Sequence, residues 1–164
     1  MMIMASNKKK HSVLFVCFGN TCRSTMAEGI FQHLVKQRGI SDKWIIDSAG
    51  IGSWFINCPP NERTMRVLEK NGISDYKHLG RQITEEDFRK FEFIFGMDHG
   101  NVEDLKQLAP PNSTAMISLL GEWDPQKELV IRDPYFEPSS NNHVFDKVYA
   151  QCLRCCKKIL ECVS

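Results

Sequence analysis

The sequence predicts an α/β fold, a single doubly wound domain with a parallel sheet and helices on both faces. Three observations carry that reading. Short apolar runs alternate along the chain with stretches whose apolar residues recur at helical spacing, and such alternation implies a parallel sheet buried on both sides. The chain has 164 residues, 42% of them apolar and 25% charged, which suits one domain with a sizeable core. The first apolar run stops at Cys17, which would then sit at the carboxyl end of a strand, where open parallel sheets bind ligands.

The elements follow in order. Met1 to His11 holds the basic run Lys8-Lys9-Lys10 and no apolar stretch of useful length, so 1–11 reads as a disordered leader before one domain over 12–164. Ser12–Val16 is the first strand. The chain then turns through Gly19 and Asn20, and Met26, Ala27, Ile30, Phe31, Leu34 and Val35 mark a helix with one buried face. Trp44–Ser48 is a second strand, followed by a loop with Gly50, Gly52, Pro59 and Pro60. A helix over Glu62–Asn71 is closed by Gly72 in the C′ role. Thr84-Glu85-Glu86-Asp87 starts a short helix, Phe91–Phe95 is a third strand, and a helix over Asn101–Leu108 stops at Pro110-Pro111. Thr114–Leu120 is a fourth strand, and a long helix ends the chain.

Net charge is +1, which gives no broad electrostatic reason to expect nucleic acid or a membrane surface as partner. No run approaches the ~20 apolar residues that a membrane span needs. A soluble, cytoplasmic monomer is the expectation. The seven cysteines are odd in number and suggest no disulfide framework. Cys152 and Cys155 form a C-x2-C, which invites a zinc or redox reading. Yet Val144, Phe145, Val148, Tyr149, Cys152, Cys155, Cys156, Ile159, Leu160 and Val163 form a helical stripe, on which cysteine acts as a small hydrophobe. No second pair of ligands stands at zinc spacing.

The most informative stretch joins the first strand to the first helix. Cys17 and Arg23 bracket a strand-to-helix turn, where backbone amides converge and the helix dipole favours negative charge. A cysteine there favours the thiolate, and an arginine closing the loop can grip an oxyanion bidentately. The spacing alone proves little, since seven cysteines and eight arginines would supply about one third of a C-x5-R match by chance. Strand, glycine and helix around it carry the claim: a thiolate, an anion cradle and a guanidinium make a nucleophile for phosphate. Ser24 is placed either to cap the helix or to hydrogen-bond the thiolate. Later, Pro134 stiffens Asp133 in the loop Ile131–Phe136. Beside a thiolate, that carboxyl could give a proton to the leaving group and later take one from water.

With Cys17-Phe18-Gly19-Asn20-Thr21-Cys22-Arg23-Ser24 early and Asp133-Pro134-Tyr135 late, the chain resembles the low-molecular-weight protein tyrosine phosphatases from about Ser12 to Val163. The likeness includes Asp47-Ser48, Trp54, Gly80-Arg81-Gln82-Ile83, Met97-Asp98, Asp124-Pro125-Gln126-Lys127 and the Cys152–Cys156 helix. The resemblance implies a four-stranded parallel sheet, no metal or other cofactor, phosphorylated proteins as partners, and a cysteinyl-phosphate intermediate. It implies that Cys17 is the nucleophile, Arg23 the phosphate clamp and Asp133 the general acid. Amides from Phe18 to Arg23 would hold the phosphate oxygens. Asn20 would brace the loop with support from Ser48 and His78, and Ser24 would steady the thiolate. Cys22 would form a reversible disulfide with Cys17 under oxidation.

Three departures from the family pattern stand out. Thr25 replaces a proline, whose loss at a first helical turn should cost little. Phe136 replaces a second tyrosine after Tyr135. Thr21 stands where the tyrosine-specific members have isoleucine, and the bacterial protein-arginine phosphatases of the family resemble this chain in having threonine there. That change trims an apolar wall and adds a hydroxyl. Trp54 and Tyr135, the expected pocket walls, could stack on a tyrosine ring or on a planar guanidinium. The reading is therefore a protein phosphatase leaning to phosphoarginine, with phosphotyrosine and other aryl phosphates as the alternative. An arsenate reductase would need two further redox cysteines on a mobile loop. A non-catalytic phosphate-binding module would be expected to lack Cys17, Arg23 or Asp133.

Overall fold

The computed structural model describes residues 9–163. Four parallel strands, β1 (His11–Cys17), β2 (Trp44–Gly50), β3 (Phe93–Gly96) and β4 (Met116–Leu119), form one sheet in the order β2-β1-β3-β4. Five helices, α1 (Arg23–Gln37), α2 (Glu62–Lys70), α3 (Asp87–Lys90), α4 (His99–Leu108) and α5 (His143–Cys162), cover it, with 3-10 turns at Ser41–Lys43 and Leu120–Trp123. The doubly wound α/β class expected from the sequence is the one found.

The period of two along β1 divides the core. Val13, Phe15 and Cys17 face the larger cluster, which holds α1, α2 and α5, while Leu14 and Val16 face the smaller one with Phe88 of α3 and Leu105 of α4. Both sides of β1 are therefore apolar, as a strand covered on both faces requires. Phe31 of α1 meets Trp44 of β2 edge-on at 4.8 Å between centroids and Phe15 at 5.7 Å. No helix among the described residues is long and apolar enough to cross a membrane.

Element ends shift for local reasons. Most of the expected leader lies outside the described residues, but His11 already pairs with Trp44 as the first residue of β1. β2 runs on to Gly50 because Cys17 pairs with it. β3 begins at Phe93, since Phe91 caps α3 in extended conformation. β4 is shorter than expected because β3 offers it only four partners. α4 starts two residues early, where the Asp98 carboxylate accepts the Asn101 N–H at 2.8 Å. Asn61 caps α2 in the same way through Arg63 N–H, and Gly72 beyond its end takes φ +85°, the left-handed value expected at C′.

The cysteine stripe of α5 is core. Cys152, Cys155 and Cys156 are fully buried, whereas Cys58 and Cys162 are exposed, and all seven cysteines are free thiols. Cys152→Ser, which buries a hydroxyl in that apolar layer, should cost about 1–3 kcal/mol in urea unfolding. Cys162→Ser should stay within about 0.5 kcal/mol of wild type. Equal costs at the two positions would contradict the core placement.

Candidate active site

The topology puts Cys17 at the switch point of the sheet, where β1 has β2 on one side and β3 on the other and the connections diverge. Its neighbours across that crevice are Gly50, closing β2, and Asp98, just past β3. From Cys17 the chain makes a tight loop into α1. The carbonyls of this loop are taken from outside it: Ile51 N–H donates to Cys17 O at 3.0 Å, Gly52 N–H to Phe18 O at 3.0 Å and Asn61 N–H to Thr21 O at 3.0 Å. Met26 N–H takes Cys22 O at 3.0 Å, and the Thr25 hydroxyl, where the family pattern has proline, reaches both Thr21 O and Cys22 O at 2.9 and 3.0 Å. All peptide bonds among the described residues are trans. In a planar trans unit the carbonyl and the following N–H point in opposite directions. Tying these carbonyls outward therefore turns the N–H groups of Phe18, Gly19, Cys22 and Arg23 the other way. The same residues and Cys17 line a cavity of about 280 Å³.

Asn20 fixes the loop. It sits at φ +56°, a strained region for a side-chain-bearing residue, and is over-determined there by four hydrogen bonds. Its Nδ2 donates to Ser24 Oγ at 2.8 Å and to Ser48 Oγ at 3.0 Å, and its Oδ1 accepts from His78 Nε2 at 2.8 Å and from Arg81 N–H at 3.1 Å. Proton directions follow. Ser24 Oγ accepts from Asn20, so its hydroxyl is free to donate to Cys17 Sγ at 3.0 Å. Ser24 therefore serves the thiol and not the helix cap, since α1 has no side-chain cap. Ser48 in turn donates to Glu28 Oε1 at 2.6 Å.

Glu28, deep in α1, received no role from the sequence. It accepts from Ser48 and, at 2.6 Å, from Tyr76 OH, and His78 Nδ1 lies 3.2 Å away. Because His78 Nε2 must donate to Asn20, one proton is shared between Nδ1 and the carboxylate. Burial is the main influence on both groups and drives both toward their neutral forms: Glu28 is raised to about 7 and His78 lowered. Glu28, Asp47 and His78 are close enough together to hold a cation, but each already serves the loop, Asp47 by binding Arg81 Nε at 3.0 Å and the Ser48 N–H at 2.8 Å.

Arg23, 3% exposed, opens α1 and points back into the cavity. Nη1 donates to Asp98 Oδ2 at 2.7 Å and to Ile131 O at 3.0 Å, while Nη2 stands 3.8 Å from Asp133 Oδ2. Burial opposes its charge, but Cys17, Asp98 and Asp133 outweigh that and keep the guanidinium protonated. Asp133 lines the same cavity, and its Oδ1 accepts the Tyr135 N–H at 3.1 Å in an Asx turn. Cys22 is buried beside Cys17, and burial pushes its thiol up to about 12.

The structure thus brings together every site residue expected from sequence, including His78. It adds four: Glu28 and Asp98 as buried or half-buried carboxylates, and Phe55 and Phe136 as walls. Trp54 stacks on Phe18 at 4.5 Å, and Phe55 and Phe136 each meet Tyr135 edge-on, at 5.7 and 4.9 Å. Gly52 lies directly beneath Trp54, where a Cβ would come within 1.6 Å of the indole. The aromatic pairs 54–55 and 135–136 were the available signal for the two extra walls. Nothing in the one-dimensional pattern marks Glu28, which falls outside the apolar stripe of its helix and is buried all the same.

Known proteins resemble this chain in sequence and in fold. Residues 12–164 match the family model described as low molecular weight phosphotyrosine protein phosphatase. A rat protein of that name is 48% identical over 152 residues, spanning 92% of this chain and 94% of the relative. The crystal structure of a Drosophila arginine phosphatase superposes with TM-score 0.83 at 40% identity, covering 91% of this chain and 95% of the other. A protein tyrosine phosphatase from Entamoeba histolytica, with Hepes in its active site, gives TM-score 0.85 at 26% identity over 93% and 96% of the two chains.

The Glu28 shift has a measurable sign. A carboxyl raised in the folded state stabilises fully below its ordinary value near 4.5, and that contribution is lost as pH climbs through about 7. The lowered His78 works in the opposite direction, so the comparison is with Glu28→Gln. Between pH 4.5 and 7.5 the Tm of wild type should fall relative to Glu28→Gln as pH rises; a constant difference would reject the raised carboxyl.

Proposed function

This chain belongs to the low molecular weight phosphotyrosine protein phosphatase family and is a hydrolase of phosphoric monoesters, and from that premise we propose that Cys17 is its nucleophile. The observation that supports the assignment is one cavity lined by Cys17, Arg23 and Asp133, with the Asp133 carboxylate 3.8 Å from Arg23 Nη2. The Cys17 thiolate attacks phosphorus in line with the leaving atom. Inward amides from Phe18 to Arg23, the α1 dipole and the Arg23 guanidinium take up charge on the three phosphoryl oxygens. Asp133 gives its proton to the leaving atom as that bond breaks, which leaves a phosphate on sulfur. The Asp133 carboxylate then takes a proton from a water whose oxygen attacks the phosphorus, and Cys17 departs as thiolate, steadied by the Ser24 hydroxyl at 3.0 Å.

The substrates are phosphorylated proteins, and the preferred residue is set by the walls. Phosphoarginine is our reading. Thr21 replaces a branched apolar wall with a hydroxyl inside the cavity, and a structural relative at 40% identity is named an arginine phosphatase. A guanidine leaving group needs a proton on nitrogen as phosphorus departs, which Asp133 can supply. Phosphotyrosine is the second reading, supported by the aromatic enclosure of Phe18, Trp54, Phe55 and Tyr135 and by the names of the curated relatives. Cys22 fits a protective role: if oxidation turns Cys17 into a sulfenic acid, condensation with the Cys22 thiol releases water and leaves a disulfide that a cellular thiol can reduce.

Two measurements test these assignments. Cys17→Ser should abolish turnover while retaining inorganic-phosphate binding, and turnover near wild type would end the nucleophile assignment. For substrate choice, Thr21→Ile should lower the ratio of kcat/KM for a phosphoarginine peptide over the matched phosphotyrosine peptide by about tenfold, the scale of one apolar-for-polar contact. An unchanged ratio would remove Thr21 as the determinant.

A further inference from the structure

Asp133 does not lie on a helix or a strand. It is carried by the segment 131–142 between the sheet and α5, and its own side chain touches the phosphate loop only through the 3.8 Å approach to Arg23. Its position is therefore set by what holds the segment. The front end is fixed at Ile131, a fully buried residue whose N–H donates to Met97 O at 2.9 Å and whose carbonyl accepts from Arg23 Nη1 at 3.0 Å. The back end is fixed by a single side chain on a different element, Arg63 of α2. Its Nη1 donates to Glu137 O at 2.6 Å, its Nη2 to Pro138 O at 3.0 Å and its Nε to Asn142 Oδ1 at 2.8 Å. The guanidinium also lies over the Phe145 ring, 4.3 Å from the centroid. Between the posts the segment closes on itself, with the Glu137 carboxylate accepting from Arg132 and from Asn141 Nδ2.

Arg63 is two residues from Asn61, whose N–H holds Thr21 O in the phosphate loop at 3.0 Å. One turn of α2 thus touches both halves of the site, the loop that holds phosphate and the loop that holds the acid. Arg63 itself does not line the cavity that holds Cys17 and Asp133. We propose that Arg63 is a positioning residue for the acid–base step, a guanidinium clamp that sets Asp133 at its working distance from the phosphate loop. Three acceptors in a forked plane suit arginine and no other side chain, because an ammonium is a point donor that cannot span them. The proposal rests on Asp133 being the general acid.

The test is the dependence of kcat/KM on the leaving group, across aryl phosphates from 4-nitrophenyl to alkylphenyl, for wild type, Arg63→Ala, Arg63→Lys, Asp133→Ala and the Arg63→Ala/Asp133→Ala double variant. A poor leaving group needs the acid, a good one does not. Asp133→Ala should slow the alkylphenyl ester by about 10²–10⁴ and the nitrophenyl ester far less. Arg63→Ala should show the same selective pattern at about 10–10² for the alkylphenyl ester, the scale of a 1 Å misplacement. Arg63→Lys should not restore the rate, and the double variant should be no slower than Asp133→Ala alone. If Arg63→Ala slows all esters equally, or slows the enzyme as much without Asp133 as with it, Arg63 is only structural and the proposal fails while the acid assignment stands. If Asp133→Ala itself leaves the leaving-group dependence unchanged, the acid assignment fails and the proposal with it. Should Arg63→Ala unfold, Arg63→Lys and Arg63→Gln carry the same comparison at a Tm near wild type, where a selective loss on the alkylphenyl ester supports the clamp and an equal loss on all esters overturns it.

Discussion

A doubly charged phosphate and a thiolate repel each other, and a pocket that brings them together must supply positive potential before either arrives. In this molecule the potential comes from the direction of a few peptide dipoles. Those dipoles face inward because their carbonyls are engaged on the outside by Ile51, Gly52 and Asn61. The strained Asn20 turn, with four hydrogen bonds to hold it, keeps that orientation from relaxing. The other features of the site are arranged around this orientation. β2 must end beside Cys17 to present Gly50 and the two amides after it, and α2 must start where Asn61 can reach Thr21. The buried chain Ser48, Glu28, Tyr76 and His78 is there to hold Asn20.

The cost of this arrangement is a polar network inside an otherwise apolar core. Glu28 and His78 are both driven toward neutrality by burial, yet their hydrogen-bonding geometry requires one proton between them. Such a pair gives little net stability, since the desolvation of two ionisable groups offsets most of the attraction. What it gives is a single geometry: every donor in the set has one acceptor, and a rotation of any member leaves a buried group unpaired. The loop is thereby held in its binding shape without a ligand, and binding spends no free energy on ordering it.

The sequence carried the fold class, the order of the elements and the strand-to-helix turn between Cys17 and Arg23, because those depend on local pattern. The unbroken apolar run of Ser12–Val16, period 3.6 in Met26–Val35 and the glycine after α2 can all be read from neighbours along the chain. The residues that escaped were set by tertiary partners. Asp98 looks like an ordinary helix cap, and it is one, but its second oxygen holds Arg23. Glu28 falls outside the apolar stripe of α1 and looks like a solvent-facing residue, and only the arrival of Tyr76 and His78 explains its burial. Phe55 gains its place in the wall from Tyr135, eighty residues later. Strand ends were misjudged for a similar reason, since β3 and β4 stop where their partners stop.

The loop from Cys17 to Arg23 is encoded near the start of the chain, yet its finishing contacts arrive late. Residues 51, 52, 61 and 81 supply its external donors, and Arg23 waits for the carbonyl of Ile131, 108 positions downstream. During synthesis Cys17 therefore emerges long before the residues that come to surround it. A chain that stops short of Ile131 lacks that carbonyl, the segment carrying Asp133 and the α5 side of the core, so Arg23 keeps only its Asp98 partner and the cavity has lost one of its walls. The pocket around Cys17 is thus assembled only once the chain beyond Ile131 has folded onto the sheet and brought Asp133, Tyr135 and Phe136 to its wall.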